Sequence, residues 1–173
     1  TPSISSKKWV YNQYDYQVQL NTVFKPGQSD AAVIRLRSQH EKIKEKKYTG
    51  IAASVDCNNR WVSLDPFRGA IAAVAESARN VSCVGAKPIA ITNNLNFSSP
   101  ETDIGYWQLA LSCKGISKAC ETFETPVTGG NVSLFNESID KNEVITPIQP
   151  TPVIGMIGIM DDSDKAVSTG WKN

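Results

Sequence analysis

Hydrophobic positions change their period along this chain, and the changes divide it into elements. Residues 31–37 (Ala-Ala-Val-Ile-Arg-Leu-Arg) alternate and are rich in β-formers, which predicts a strand. Residues 50–56 predict a second strand, and the charged run 40–47 between them reads as the solvated tip of a hairpin. Trp61-Val62-Ser63-Leu64 reads as a short strand or extended piece. The period then lengthens. Asp65 and Pro66 open a helix as N-cap and first-turn proline. Its face is Ile71, Val74, Ala75, Ala78, Val81 and Val84, and Gly85 is its stop. Pro88 to Asn93 predict a third strand. Ser99-Pro100-Glu101 caps a second helix with the stripe Ile104, Trp107, Leu111, Ile116, Ala119 and Phe123. Residues 126–135 and 153–160 supply the last strands.

The final strand constrains the architecture. In residues 153–160 (Val-Ile-Gly-Met-Ile-Gly-Ile-Met) both alternating faces are apolar, so both must be covered. Two helices shield one face of a small sheet, and the other face needs a partner layer.

The stretch from Thr125 to Asn136 carries the most suggestive chemistry. It reads as a strand, a double-glycine bend at Gly129-Gly130 and a second strand. Such glycines reach φ > 0 and can bring bare amides close to a ligand, forming an anion-binding concavity. Asn131 offers a neutral carbonyl oxygen that Mg²⁺ accepts beside phosphate oxygens. Ser133, two residues on, projects to the same side as Asn131. An ordinary glycine hairpin with polar trim is the competing reading.

Bulk properties narrow the class. The length of 173 residues fits one domain with a real core. A net charge of +1 points to no nucleic-acid or acidic-membrane partner. No apolar run approaches a membrane span or a secretory signal. Cys57, Cys83, Cys113 and Cys120 lie far apart without a C-x-x-C pair, and read as reduced, cytosolic core thiols, two of them buried in helices. His40, the sole histidine, lies in the charged loop and is a poor candidate for a base. Asp161, Asp162 and Asp164 read as a solvated turn rather than a metal site.

Motifs in series then say more than any one of them. Residues 65–70 (Asp-Pro-Phe-Arg-Gly-Ala), 75–81 (Ala-Glu-Ser-Ala-Arg-Asn-Val) and 84–90 (Val-Gly-Ala-Lys-Pro-Ile-Ala) follow one another, then 92–97 (Thr-Asn-Asn-Leu-Asn-Phe), the glycine motif and 150–156 (Pro-Thr-Pro-Val-Ile-Gly-Met). That order closely resembles the phosphoribosylformylglycinamidine synthase family, the amidotransferase-coupled synthetases of purine biosynthesis, from about Lys7 to about Asp161. Members resemble tandem copies of an A domain and a B domain, and the opening Trp9-Val10-Tyr11-Asn12-Gln13-Tyr14 is similar to the start of the second half. AIR synthetase, selenophosphate synthetase and thiamin-monophosphate kinase are poorer fits to Asn93–Phe97 and Gly129–Leu134.

The resemblance implies an α+β, ferredoxin-like, PurM N-terminal-like domain with a mixed or antiparallel sheet, helices on one face and sheet-to-sheet pairing on the other. It implies one A domain over residues 1–173: a lead-in at 1–30, a core at 31–160 and an exit toward a B domain at 161–173. By motif, Asn93 and Gly130 correspond to ATP-binding positions, Asn131 to a Mg²⁺ ligand and Ser133 to a contact with formylglycinamide ribonucleotide. No catalytic residue is assigned. The family's first half carries the histidine-bearing segment, whereas the matching segment here is Asp56-Cys57-Asn58-Asn59-Arg60-Trp61, and the acidic Mg²⁺ position is Asn80. The implied partners are a first-half A domain or a second copy paired by sheets, with glutaminase and small accessory subunits in the full complex. The setting is cytoplasmic, and ATP and Mg²⁺ binding by this chain alone is expected to be weak. A non-catalytic module that binds host synthetase subunits, or acts as a scaffold, is the alternative.

Overall fold

The computed structural model describes residues 4–37 and 47–170, and its strands are β1 (Ala32–Arg35), β2 (Gly50–Asp56), β3 (Lys87–Asn96), β4 (Val127–Ser133), β5 (Glu137–Ile139), β6 (Ile145–Pro147) and β7 (Thr151–Met160). The helices are α1 (Lys8–Tyr11), α2 (Asn59–Leu64), α3 (Pro66–Cys83) and α4 (Asp103–Phe123). Five strands form one mixed sheet in the order β1-β2-β7-β3-β4, while β5 and β6 pair as a separate hairpin. Among the described residues only the β3–β4 pair is parallel. The α+β class and the mixed sheet agree with the sequence reading.

β7 sits in the middle of the sheet because its length and apolarity suit neighbours on both sides. Pro152, Ile154, Met156 and Met160 are buried under the helices. The opposite parity faces outward: Ile157 and Ile159 keep 37% and 40% of their surface, and Val55 on β2 keeps 72%. The register sets Val55 beside Gly155, Ala53 beside Ile157 and Ile51 beside Ile159, with Ile34 of β1 beside Ile51. These residues make one bare apolar face, as the two-sided pattern of β7 requires.

α3 starts where expected. The Asp65 carboxylate accepts from the Arg68 amide at 2.9 Å, Pro66 opens the first turn, and Gly85 (φ 91°) turns the chain away. Its buried face includes Ala70, Ala73, Val74, Ala78 and Val81, and it lies so close to the sheet that a Cβ on Gly158 would fall 2.3 Å from Val81 Cγ1.

Three local expectations are corrected. Residues 61–64 are helical, because Asn58 caps α2 by accepting from the Trp61 amide at 3.2 Å. The cap of α4 is Thr102, which accepts from the Gly105 amide at 3.1 Å; Ser99 instead ties the preceding turn through the Glu101 amide. The buried face of α4 is Gly105, Ser112, Gly115, Ile116, Ala119 and Cys120, so Ile104, Trp107 and Phe123 of the expected stripe are exposed. Small residues win that face because α3 comes too near for large ones. The same rotation exposes Cys113, and Cys83 is exposed as well, which leaves Cys120 as the buried helical thiol; all four cysteines are free. The charged run 40–47, with His40, lies largely outside the described residues.

The α3–α4 contact generates a test. A Cβ on Gly115 would sit 2.3 Å from the Phe67 carbonyl oxygen and 3.1 Å from Ala70 Cβ. Gly115→Ala is therefore expected to destabilise the chain by about 1–3 kcal/mol despite alanine's better helix propensity. Urea unfolding measures it, and an unchanged midpoint would show that the helices separate freely.

Candidate functional site

β4 lies against β3 at the sheet edge, with Asn93 opposite Gly130, Asn94 opposite Asn131 and Asn96 opposite Ser133. A register shift at Ile91/Thr92 leaves Thr128 as the extra residue, and its hydroxyl donates to the Ile91 carbonyl at 3.1 Å. The double-glycine bend predicted from sequence does not exist. Val127–Ser133 is one continuous strand, and positive φ among the described glycines occurs at Gly27 and Gly85, not at Gly129 or Gly130. Pairing with β3 holds the segment extended and engages its backbone groups on that side, so the concavity of a bend is not formed.

Gly130 has a different reason to be glycine. A Cβ there would lie 2.1 Å from Asn93 Oδ1, whereas one on Gly129 would meet nothing within 4 Å. The Asn93 amide thus lies over Gly130 on the helix-covered side. Asn93 also lines a cleft of about 520 Å³ between the sheet edge and α4, together with Leu95, Ile116, Cys120, Glu121 and Glu124. Burial pushes the Cys120 thiol at this cleft above its ordinary value.

Strand alternation places Asn131 and Ser133 on the other face. Asn131 Nδ2 donates to Asn94 Oδ1 at 3.2 Å, which turns the Asn131 carbonyl oxygen away from Asn94. Asn96 Nδ2 donates to the carbonyls of Asn94 (3.1 Å) and Thr151 (3.3 Å). The Ser133 hydroxyl donates to Asn136 Oδ1 at 3.0 Å. The structure therefore brings together Asn93 with Gly130, and separately Asn131 with Ser133. It does not gather all four in one pocket. Asn94 and Asn136 were missed in the sequence; the signal for Asn94 is its place beside Asn131 in a parallel pair, which needs the register to be known.

Residues 56–61, Asp-Cys-Asn-Asn-Arg-Trp, lie across the sheet. The register runs Asp56–Ile154–Asn93–Gly130, so Asp56 is about three strand spacings, roughly 14 Å, from Gly130. Asp56 accepts from Asn80 Nδ2 at 3.1 and 3.3 Å. Burial, with the Asp56 charge second, raises the Cys57 thiol from 9.0 to about 11. Asp162 caps a short turn through the Asp164 amide and Asp164 pairs with Arg35 at 2.8 Å, so the acidic run is structural. Among the described residues no cluster of three His, Cys, Asp or Glu side chains could hold a metal, and no helix is long and apolar enough to cross a membrane.

Residues 28–160 match the family model of AIR synthase related protein, N-terminal domain. The chain belongs to this family. It is 74% identical over 172 residues to the phosphoribosylformylglycinamidine synthase subunit PurL of Prochlorococcus marinus (strain MIT 9312), covering 99% of this chain and 22% of that protein. PurLQS from Thermotoga maritima superposes with a TM-score of 0.76 at 31% identity, over 96% of this chain and 25% of that one. T. maritima PurL superposes at 0.75 in complex with ATP (32% identity) and at 0.69 in complex with FGAR (32% identity), each over 94% of this chain and 24% of that one. The chain thus spans about a fifth of the curated relatives it matches.

Two measurements check this description of the AIR synthase domain. Gly130→Ala is expected to displace the Asn93 amide and lower stability by about 1–2 kcal/mol, while Gly129→Ala stays within about 0.5 kcal/mol. Equal melting curves for the two variants would contradict the Asn93–Gly130 contact. Cys57 is expected to alkylate far more slowly than exposed Cys83 at neutral pH. The sign of its linkage follows from the raised value: the unfolded thiol ionises first, so stability falls as pH rises between 9.0 and about 11. Modification of Cys57 at the rate of Cys83 would contradict its burial.

Proposed function

We propose that this chain is the second A domain of a phosphoribosylformylglycinamidine synthase and supplies one wall of its active site. In that reaction ATP phosphorylates the amide oxygen of formylglycinamide ribonucleotide, ammonia from glutamine attacks the activated carbon, and phosphate leaves. The observation that carries the reading is the 74% identity to a PurL subunit over 99% of the chain. The PurL complexes with ATP and with FGAR support the ligand classes. On this reading residues 161–173 lead toward a B domain, and glutaminase and accessory subunits complete the assembly in the cytoplasm.

Each candidate residue has a role that its surroundings support. Gly130 makes room for the Asn93 amide, which lines the cleft against α4 as a polar group suited to contact ATP. Asn131 fits one Mg²⁺ coordination position, since its nitrogen is engaged by Asn94 and its oxygen is left for the ion. Mg²⁺, when bound, neutralises phosphate charge during transfer. Ser133 stands two residues further on the same face, for the ribonucleotide. None of the four titrates near neutrality, so acid–base work falls to the histidine-bearing half. We therefore expect no amidine formation from this chain alone; turnover of ~0.1 s⁻¹ or more with ammonia and ATP would overturn that. ATP affinity in calorimetry should be weaker than about 1 μM and should fall on Asn131→Ala.

The bare face of Ile34, Val55, Ile157 and Ile159 supports sheet-to-sheet pairing, with a first-half A domain in the synthase and with a second copy in isolation. Large contiguous apolar faces commonly mark interaction sites. Light scattering of the isolated chain is expected to give twice 18.9 kDa. A monomer at high micromolar concentration would refute the pairing.

A further inference from the structure

We propose that Asn136 fixes Ser133 as a hydrogen-bond acceptor, so that the substrate group seated on Ser133 is a donor, a hydroxyl or an amide N–H, and not a phosphate oxygen. This rests on the reading of Ser133 as a substrate contact. Asn136 follows β4 after Phe135, whose φ of 57° lies in the left-handed region that non-glycine residues avoid. That turn folds Asn136 back under the strand end. Its backbone amide donates to the Phe97 carbonyl at 3.2 Å, and its own carbonyl accepts from the Ile148 amide at 3.0 Å. Its side-chain Nδ2 donates to two carbonyls, Ser133 O at 2.7 Å and Phe97 O at 3.0 Å.

Those two acceptors decide the orientation of the side-chain amide. A backbone carbonyl cannot donate, so a flipped amide would press its oxygen against two others and lose both bonds. Asn136 Oδ1 must therefore face the Ser133 hydroxyl, which lies 3.0 Å away. A serine hydroxyl has one proton, and this one is spent on Asn136. Only lone pairs remain for a ligand. A phosphate oxygen presents lone pairs too, and would be repelled, whereas a hydroxyl or amide N–H completes the bond. Asn136 is thus a positioning residue that sets the polarity of its neighbour, and the strained Phe135 backbone holds it there.

The test has an arm that needs no ligand. In ¹⁵N NMR of this chain the Asn136 side-chain protons are expected to exchange at least roughly tenfold more slowly than those of exposed Asn142, as two carbonyl bonds require. Free exchange would overturn the arrangement and leave the reading of Ser133 as a substrate contact standing. The second arm titrates formylglycinamide ribonucleotide and inorganic phosphate against the native chain, Ser133→Ala and Asn136→Ala, the latter removing the acceptor that holds the Ser133 proton. Both variants are expected to weaken the ribonucleotide by about tenfold, the worth of one ordinary hydrogen bond, and to leave phosphate unchanged. In the intact synthase Ser133→Ala should raise KM by that factor with kcat preserved. Phosphate binding that falls on Ser133→Ala would overturn the donor rule. Indifference of the ribonucleotide to Ser133→Ala, with Asn136 protected, would instead remove Ser133 from the substrate site.

Discussion

Successive side chains of a strand face opposite sides, so a central strand that is apolar at both parities demands two covering layers. β7 is that strand. Its buried parity is met by α3, which approaches closely because Gly158 leaves no Cβ between helix and sheet, and α4 packs on α3 where Gly115 leaves none between the helices. The other parity ends in bare Ile157 and Ile159, next to Val55 on β2. Moving these isoleucines to the helix side would need a one-residue slip of β7, and that slip would put Ile154 and Met156 in water instead. The open face is therefore built into the register and is not a local accident.

That open face changes character across the sheet. Over β1, β2 and β7 it is aliphatic, with Ile34, Val55, Ile157 and Ile159. Over β3 and β4 it is amide and hydroxyl, with Asn94, Asn96, Asn131 and Ser133 in register. A covering layer gains from the first zone and would have to desolvate the hydrogen-bonded amides of the second. The balance favours a cover that stops near β3 and leaves the β4 edge open to ligand. In this way the apolar demand of β7 and the polar chemistry of β4 divide one surface into an aliphatic zone and an amide-and-hydroxyl zone.

The sequence disclosed the elements whose signals are local. Asp65-Pro66 and Gly85 bracket α3 because a cap and a left-handed glycine act within a turn or two. It misled where a distant neighbour decides. Gly129-Gly130 has the composition of a bend, yet parallel pairing with β3 keeps it extended, and what Gly130 answers to is the Asn93 side chain, 37 residues away in register. The stripe of α4 failed likewise: Trp107 and Phe123 look like core, but the buried face is centred on Gly115, where the close approach of α3 leaves no room for a side chain. Residues 61–64 differ for a more local reason: their composition suits an extended piece, and the Asn58 cap starts a helix there instead. The roles of Asn94 and Asn136 were invisible for want of register and of the Phe135 turn.

The two faces of β4 also bear on how ligands meet. Asn93 and Gly130 belong to the helix side with the cleft against α4, and Asn131 and Ser133 belong to the open side. No small molecule passes through a hydrogen-bonded sheet, so a nucleotide touching the first pair and a ribonucleotide touching the second can approach each other only around the edge or the end of β4. Among the described residues that edge is free: residues 127–132 are exposed, and the strand pairs with β3 alone. An unpaired edge strand ordinarily carries an aggregation risk, and natural sheets blunt it with bulges, charges or cover. Here the register shift at Thr128 and the two glycines give an edge with little side chain to pack. The features that make β4 a poor edge for further strand pairing are those that let ligands pass close to its backbone, and the proposed site needs an edge of that kind.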